Sequence, residues 1–330
     1  MSPTADPSPD AAFWRGSASL VPDAVAAAVK AEVGPGAPVD WTERRGSRSF
    51  NRIFLGELEG RGAVVLKVYG YREGARRQAW CMETLPERGV SSVPVLLASG
   101  ETLGFHWTLG QRRGDANLAD IWEGQSASER GRLMREIGVV VRQLHDLTAS
   151  SRHGEMEEGD SNSYLTWSAL LTRKLERSRA WYLGLPASAL RDAALIGVAD
   201  LFSELRHFHP RSAAMLVTRD LHLDNLTVTT THGLAEVEGI VDFDYAGYAP
   251  GEVDLGHLLW FEGVDGDDAL LSAFYDGYGL ARTMDVRRRE VVYRTLAALV
   301  QVARLLRFSE AAPIGEHEAE RCLRYLVAMH

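Results

Sequence analysis

Residues 218–247, TRDLHLDNLTVTTTHGLAEVEGIVDFDYAG, constrain this chain more than any other stretch. Asp220, His222, Asp224, Asn225, Asp242 and Asp244, all able to hold a metal, flank two short runs, LTVTT and AEVEGIV, that have strand character. His232-Gly233 separates the runs as a turn, so the segment predicts a hairpin that brings Asp242 back to the end where Asn225 starts. Two chemical readings compete. In one, residues 216–224 are a single strand, and the period of two sets Asp220, His222 and Asp224 on one face as ligands of a metal-dependent hydrolase. In the other, Arg219-Asp220-x-x-x-x-Asn225 is a loop whose aspartate receives a hydroxyl proton and whose asparagine holds magnesium, with Asp242 completing the metal site. The hydrolase reading lacks a second histidine-rich element and gives Asp242 no work.

The loop reading makes a demand upstream. A nucleoside triphosphate carries its charge on the phosphates, so an interior strand should offer them a lysine, preceded by a turn whose backbone amides cover the nucleotide. AVVLKVY sets Lys67 in an apolar strand, where an unpaired ammonium would be costly to bury, and RGSRSFNRIF supplies the turn, with Gly46, Ser47 and Arg48 as nucleotide-binding residues. Three elements in this order imply ATP or GTP and Mg2+ as cofactors.

The surrounding pattern is a mostly β region followed by a mostly helical one. Residues 1–12 read as a disordered tail. Residues 13–112 form an N-terminal nucleotide-binding lobe: a helix at 22–33, strands at 40–45, 50–58 and 63–69, a helix at 75–89, and two strands around a Gly100-Glu101 bend. Residues 113–330 form a C-terminal catalytic and substrate-binding lobe, in which Leu133, Ile137, Val140, Val141, Leu144 and Leu147 mark one face of a helix at 129–147. Further helices are expected at 164–184, 187–207 and after Val253, with 150–162 as a solvated loop. The acidic runs GEMEEGD and DGDD, the latter at 265–268, are expected in solvated loops that could attract an amine-bearing substrate.

Composition narrows the function classes. The chain has 330 residues, 45% hydrophobic and 25% charged, enough for a large core, and its net charge of −9 argues against nucleic acid while suiting a cationic small molecule. The start has neither the basic region nor the apolar core of a signal peptide, and no run of about 18 apolar residues offers a membrane span, so the expected setting is the cytoplasm without a membrane partner. Cys81 and Cys322 lack metal-ligand spacing and are expected as free buried thiols.

The order of Gly-Ser turn, Val-Leu-Lys strand, RQLHDL helix end, RDLHLDN loop and VDFDYAG segment resembles the aminoglycoside phosphotransferase and choline kinase group of protein-kinase-like enzymes, over roughly residues 40–305. The resemblance implies an α+β, two-lobed protein-kinase-like fold with a small antiparallel sheet in the N-lobe and a larger, mainly helical C-lobe. It also implies a kinase of a small hydroxylated molecule, an aminoglycoside-like antibiotic, sugar or amino alcohol, with Asp220 catalytic and Asn225 and Asp242 as magnesium ligands; Asp254-Leu255 matches a further family pair. His222 would shape the loop. Two departures motivate the alternative of an inactive nucleotide-binding regulatory protein. The family's His-Gly before the aspartate is Thr218-Arg219, and Gln78 stands where a helix glutamate would pair with Lys67, unless Glu73 or Glu83 takes that place.

Overall fold

Strand alternation decides where Lys67 points. In the computed structural model, which describes residues 21–38, 40–44, 51–156, 163–205, 214–262, 268–308 and 316–328, β1 (Thr42–Arg44), β2 (Arg52–Leu58), β3 (Gly62–Tyr69), β4 (Leu96–Thr102) and β5 (Phe105–Gln111) form an antiparallel sheet in the order β1-β2-β3-β5-β4. Val64, Leu66 and Val68 of central β3 lie in a core with Phe54, Trp107 and Leu109 and with Val25 and Val29 of helix α1 (Asp23–Val33). By the period of two, Lys67 and Tyr69 then emerge on the opposite face. Helix α2 (Arg72–Glu87) covers that face: its buried line includes Ala75, Gln78, Met82 and Leu85, and Met82 fills the space that a Cβ on Gly110 of β5 would need. The expected tail at 1–12 and the turn residues Gly46, Ser47 and Arg48 lie outside the described residues.

The bend expected at Gly100-Glu101 lies elsewhere. β4 continues to Thr102, and the chain reverses at Leu103-Gly104, with φ values of 49° and 79°. Gly100 is in register with Trp107, and a Cβ there would sit 2.8 Å from the indole, so this glycine makes room for an aromatic ring rather than a turn.

Two compact units divide the chain: Met1–Gly124 with Asp224–Ala246, and Gln125–Leu223 with Gly247–His330. The first unit therefore includes the predicted hairpin. In it β6 (Ala116–Asn117), which sequence periodicity merges with the helical region, pairs with β10 (Leu226–Thr231), and β10 pairs with β11 (Leu234–Ile240). His232 and Gly233 between them both adopt positive φ, at 52° and 82°, as a tight hairpin turn requires. Helix α3 (Leu118–Trp122) follows β6.

The second unit is mainly helical, with α4 (Ala127–Asp146), α5 (Trp167–Leu183), α6 (Ala189–Leu205), α7 (Glu252–Glu262), α8 (Asp268–Tyr278), α9 (Met284–Phe308) and α10 (Glu316–Ala328). Ser126 caps α4 by accepting from the Glu129 amide. Part of the expected loop 150–162 is instead strand: β7 (His153–Glu155) joins β8 (Ser163–Tyr164), β9 (Met215–Val217) and β12 (Gly247–Ala249) in the order β8-β7-β12-β9. Strands of two or three residues are too short to show a period. Residues 157–162 and 263–267, which hold most of the acidic runs, lie outside the described residues. Cys81 and Cys322 are buried and not joined in a disulfide. Among the described residues, no helix is long and apolar enough to cross a membrane.

Helices α4 and α8 approach closely at Gly138 and Gly277. A Cβ on Gly138 would overlap the Phe274 carbonyl oxygen and lie 2.7 Å from the Tyr278 nitrogen. On an open helix Gly→Ala stabilises by about 1 kcal/mol, but here the methyl has no room and overpacking costs about 1–3 kcal/mol. Gly138→Ala should therefore lower the melting temperature by several degrees in a thermal melt; an unchanged or raised value would mean that the helices separate at no cost.

Candidate active site

The centre of the first unit's site is one buried ammonium. Lys67 Nζ lies 2.8 Å from Asp242 Oδ1 and 2.8 Å from Asp244 Oδ1, and 5.1 Å from the centre of the Tyr69 ring. The two carboxylates differ in access: the Asp242 side chain is 20% exposed and that of Asp244 is 1% exposed. Asp244 also accepts from Asn51 Nδ2 and, at 3.4 Å, from the Tyr71 hydroxyl. Helix α2 grips the same loop through its backbone. Arg77 Nη1 donates to the Asp244 carbonyl at 3.1 Å, and the Phe243 amide donates to Gln78 Oε1 at 2.6 Å. Asp242 is held with φ at 67°, a conformation that non-glycine residues keep only where surrounding contacts impose it.

Burial by itself would drive Lys67 toward the neutral amine, but Asp242 and then Asp244 more than offset this and hold the ammonium charged. Burial, and then the charge of Asp242, push the Asp244 carboxyl upward, with Lys67 opposing. One ammonium against two carboxylates leaves a cluster that favours an added cation.

The hairpin positions Asn225. It ends the 3-10 turn Leu223–Asn225, and its carbonyl accepts from the Val241 amide at 2.9 Å, just beyond the Leu226–Ile240 pair of β10 and β11. Asn225 is thus fixed beside the residue that precedes Asp242. The single strand over 216–224 is not formed: β9 stops at Val217 and the 3-10 turn follows, so no period of two carries Asp220, His222 and Asp224 onto one face. Among the described residues, no group of three or more His, Cys, Asp or Glu side chains is placed to hold a metal.

In the second unit, a buried carboxylate organises the loop that carries Asp220. Asp254 accepts from the Thr218 amide at 2.9 Å, the Thr218 hydroxyl at 2.9 Å and the Arg219 amide at 2.8 Å. His145 Nε2 stands 3.4 Å from the same carboxylate, while its Nδ1 pairs with the Tyr278 hydroxyl at 2.8 Å. Burial would raise the Asp254 pKa; the His145 contact and the loop amides outweigh it and hold the carboxyl below its usual range. Arg219, at φ 59°, donates through Nη2 to the Gly154 carbonyl at 2.8 Å, which ties the loop to β7. Asp220 is buried, and His222 Nε2 is 3.9 Å from its Oδ2, too far for a hydrogen bond.

Both departures in the sequence take part in these contacts. Thr218 donates its hydroxyl to Asp254, which His145 of α4, in the RQLHDL helix end, also approaches. Gln78 is buried on α2 and binds the loop backbone, Glu73 and Glu83 are exposed, and the partners of Lys67 are Asp242 and Asp244. Sequence reasoning missed Asn51, Arg77 and the work of Asp244. Asp244 was legible as a member of the acidic cluster; nothing in the local sequence marks Asn51 or Arg77.

Asp254 generates a pH test. Its folded pKa lies below the ordinary 3.8, so its stabilising contribution is present above that value and is lost as pH falls through the folded pKa. Below about pH 4 the melting temperature of the wild type should fall more steeply with falling pH than that of Asp254→Asn, which starts lower but lacks this titration. Parallel curves would show that Asp254 is not held ionised by the loop.

A family model described as "Phosphotransferase enzyme family" matches residues 40–291. Among solved structures, the chain is similar to a thermostable mutant of aminoglycoside phosphotransferase APH(4)-Ia in complex with AMP-PNP and hygromycin B, at 14% identity and a TM-score of 0.65, covering 93% of this chain and 99% of that one. It is similar to a protein of Haemophilus somnus 129PT described as a fructosamine-3-kinase, at 12% identity and a TM-score of 0.62, covering 93% and 97%. It also matches APH(2")-IIia in complex with GDP and kanamycin, at 15% identity and a TM-score of 0.62, covering 91% and 96%. No curated protein sequence matches. With a match over most of its length and the two-lobed protein-kinase-like fold, the chain belongs to the phosphotransferase enzyme family and is a small-molecule phosphotransferase.

Proposed function

We propose that this chain transfers the γ-phosphate of ATP or GTP to a hydroxyl of an aminoglycoside-like antibiotic, a sugar or an amino alcohol, in the cytoplasm. The observation that carries the reading is Lys67 held between Asp242 and Asp244 on the far side of β3 from the core. Lys67 would bind the nucleotide phosphates, beneath a cover formed by the backbone of Gly46, Ser47 and Arg48. Asn225 and Asp242 suit magnesium, which keeps several waters and uses only one or two carboxylates together with substrate phosphates. The cluster's excess negative charge favours that ion, which when bound would neutralise charge developing on the phosphates.

Asp220 would accept the proton of the acceptor hydroxyl as its oxygen bonds to the γ-phosphorus; the bond from that phosphorus to the bridging oxygen breaks, and the nucleoside diphosphate leaves. The loop amides bound to Asp254 keep Asp220 in register for this. The net charge of −9 suits a cationic acceptor, and aminoglycosides and sugars appear among what related folds are named for. A protein acceptor is disfavoured, because no Ala-Pro-Glu segment or long activation loop follows Asp242.

Two substitutions test the roles. Asp220→Asn should keep nucleotide affinity and lower turnover by about 10²-fold or more, the range for a positioned base. Asp242→Asn should weaken magnesium-nucleotide binding and turnover together. Turnover would be followed on a panel of aminoglycosides and sugars, with the product's gain of one phosphate read by mass spectrometry. Near wild-type turnover in a folded Asp220→Asn protein would remove it from the chemistry.

A further inference from the structure

Lys67 needs a permanent counter-ion, and the loop after β11 offers an unequal pair. Asp242 is the carboxylate with access to solvent, so it is the one able to turn toward a bound cation; Asp244 is sealed from solvent and held by Asn51 and Tyr71 as well as by Lys67. Helix α2 offers no carboxylate to replace either. Its buried face is Gly74, Ala75, Arg77, Gln78, Cys81, Met82 and Leu85, and Glu73 and Glu83 are exposed. The amide of Gln78 is committed at both ends, Oε1 to the Phe243 backbone and Nε2 to Met82 Sδ at 3.1 Å.

We propose that Asp244 is the positioning residue that keeps Lys67 aimed at the nucleotide, and that Gln78 holds the Asp242–Asp244 loop rather than the lysine. The lysine's anion then sits on the same loop as the candidate metal ligand, two residues away, and the helix acts on Lys67 only through that loop. When Asp242 engages a cation, Asp244 remains paired with Lys67, because leaving a buried ammonium without a partner is strongly unfavourable. The geometry gives the two carboxylates equal distances to Lys67 but different access, Asp242 reaching solvent and Asp244 sealed against the lysine. This inference rests on the nucleotide reading for the purpose of Lys67, but the pairing itself is testable without nucleotide.

The chain makes that test clean, since it has three lysines, Lys30, Lys67 and Lys174, among 36 cationic residues. An amine held in an ion pair is not free to attack an acylating reagent, so limited labelling with acetic anhydride, read by peptide mass spectrometry, reports how firmly Lys67 is held. Lys30, exposed on α1, is the internal reference. In the full chain with magnesium present to occupy Asp242, Lys67 should label about tenfold or more slower than Lys30; Asp242→Asn should keep that protection within about threefold, and Asp244→Asn should lose it. Calorimetric titration with magnesium-ATP should show Asp244→Asn binding about tenfold or more weakly, with Asp244→Glu recovering most of the loss.

Release of Lys67 in Asp242→Asn, or continued protection in Asp244→Asn, overturns the assignment. If Asp244→Asn does not fold, Asp242→Asn decides alone: protection retained supports Asp244 as the holder, and protection lost removes it. A wild type with protected Lys67 that binds neither ATP nor GTP would instead strike the nucleotide reading, and the labelling of the two variants would still judge the pair.

Discussion

The first unit is arranged around a cost, that of taking an ammonium out of water. A buried ion without a partner is penalised by several kcal/mol, and Lys67 avoids this through Asp242 and Asp244, each 2.8 Å away. The carboxylates that meet Lys67 lie outside the sheet, whose other face packs on the α1 core. They come from a loop that begins 175 residues later in the sequence, delivered by the β10–β11 hairpin. The left-handed conformation at Asp242, the Gln78 contact to the Phe243 amide and the Arg77 contact to the Asp244 carbonyl all hold that loop in reach of Lys67.

The second unit uses a buried carboxylate differently. Asp254 is ringed by donors from Thr218, Arg219 and His145, so its ionised form is favoured despite complete burial. Asp244 is as deeply buried, but shares its cation with another carboxylate and is pushed the other way. Each environment matches its role. Asp254 serves as a fixed anchor for loop backbone, whereas the Lys67 cluster carries excess negative charge that a cation can relieve.

Such a division separates what a fold must keep from what it can vary. In the proposed reading, Lys67 and the loop aspartates Asp242 and Asp244 would bear on the phosphate donor, a chemistry common to many acceptors. A phosphotransferase fold by itself does not name its substrate.

The sequence by itself determined the order of strands and helices in outline and the hairpin with its His232-Gly233 turn, which brings Asn225 beside Val241, because alternation and turn chemistry are local properties of a chain. It also set Lys67 within an apolar strand, AVVLKVY. Tertiary structure alone decided the partner of Lys67. The letters do not say whether Gln78 or Asp244 meets Lys67; that depends on which atoms of α2 meet which atoms of a loop far away in sequence. The same holds for His145, whose imidazole reaches Asp254 only because α4 packs where it does. Gly100 is a further case: a glycine that reads as a turn is a space for Trp107, and only the packed sheet distinguishes the two, because a missing Cβ serves both purposes.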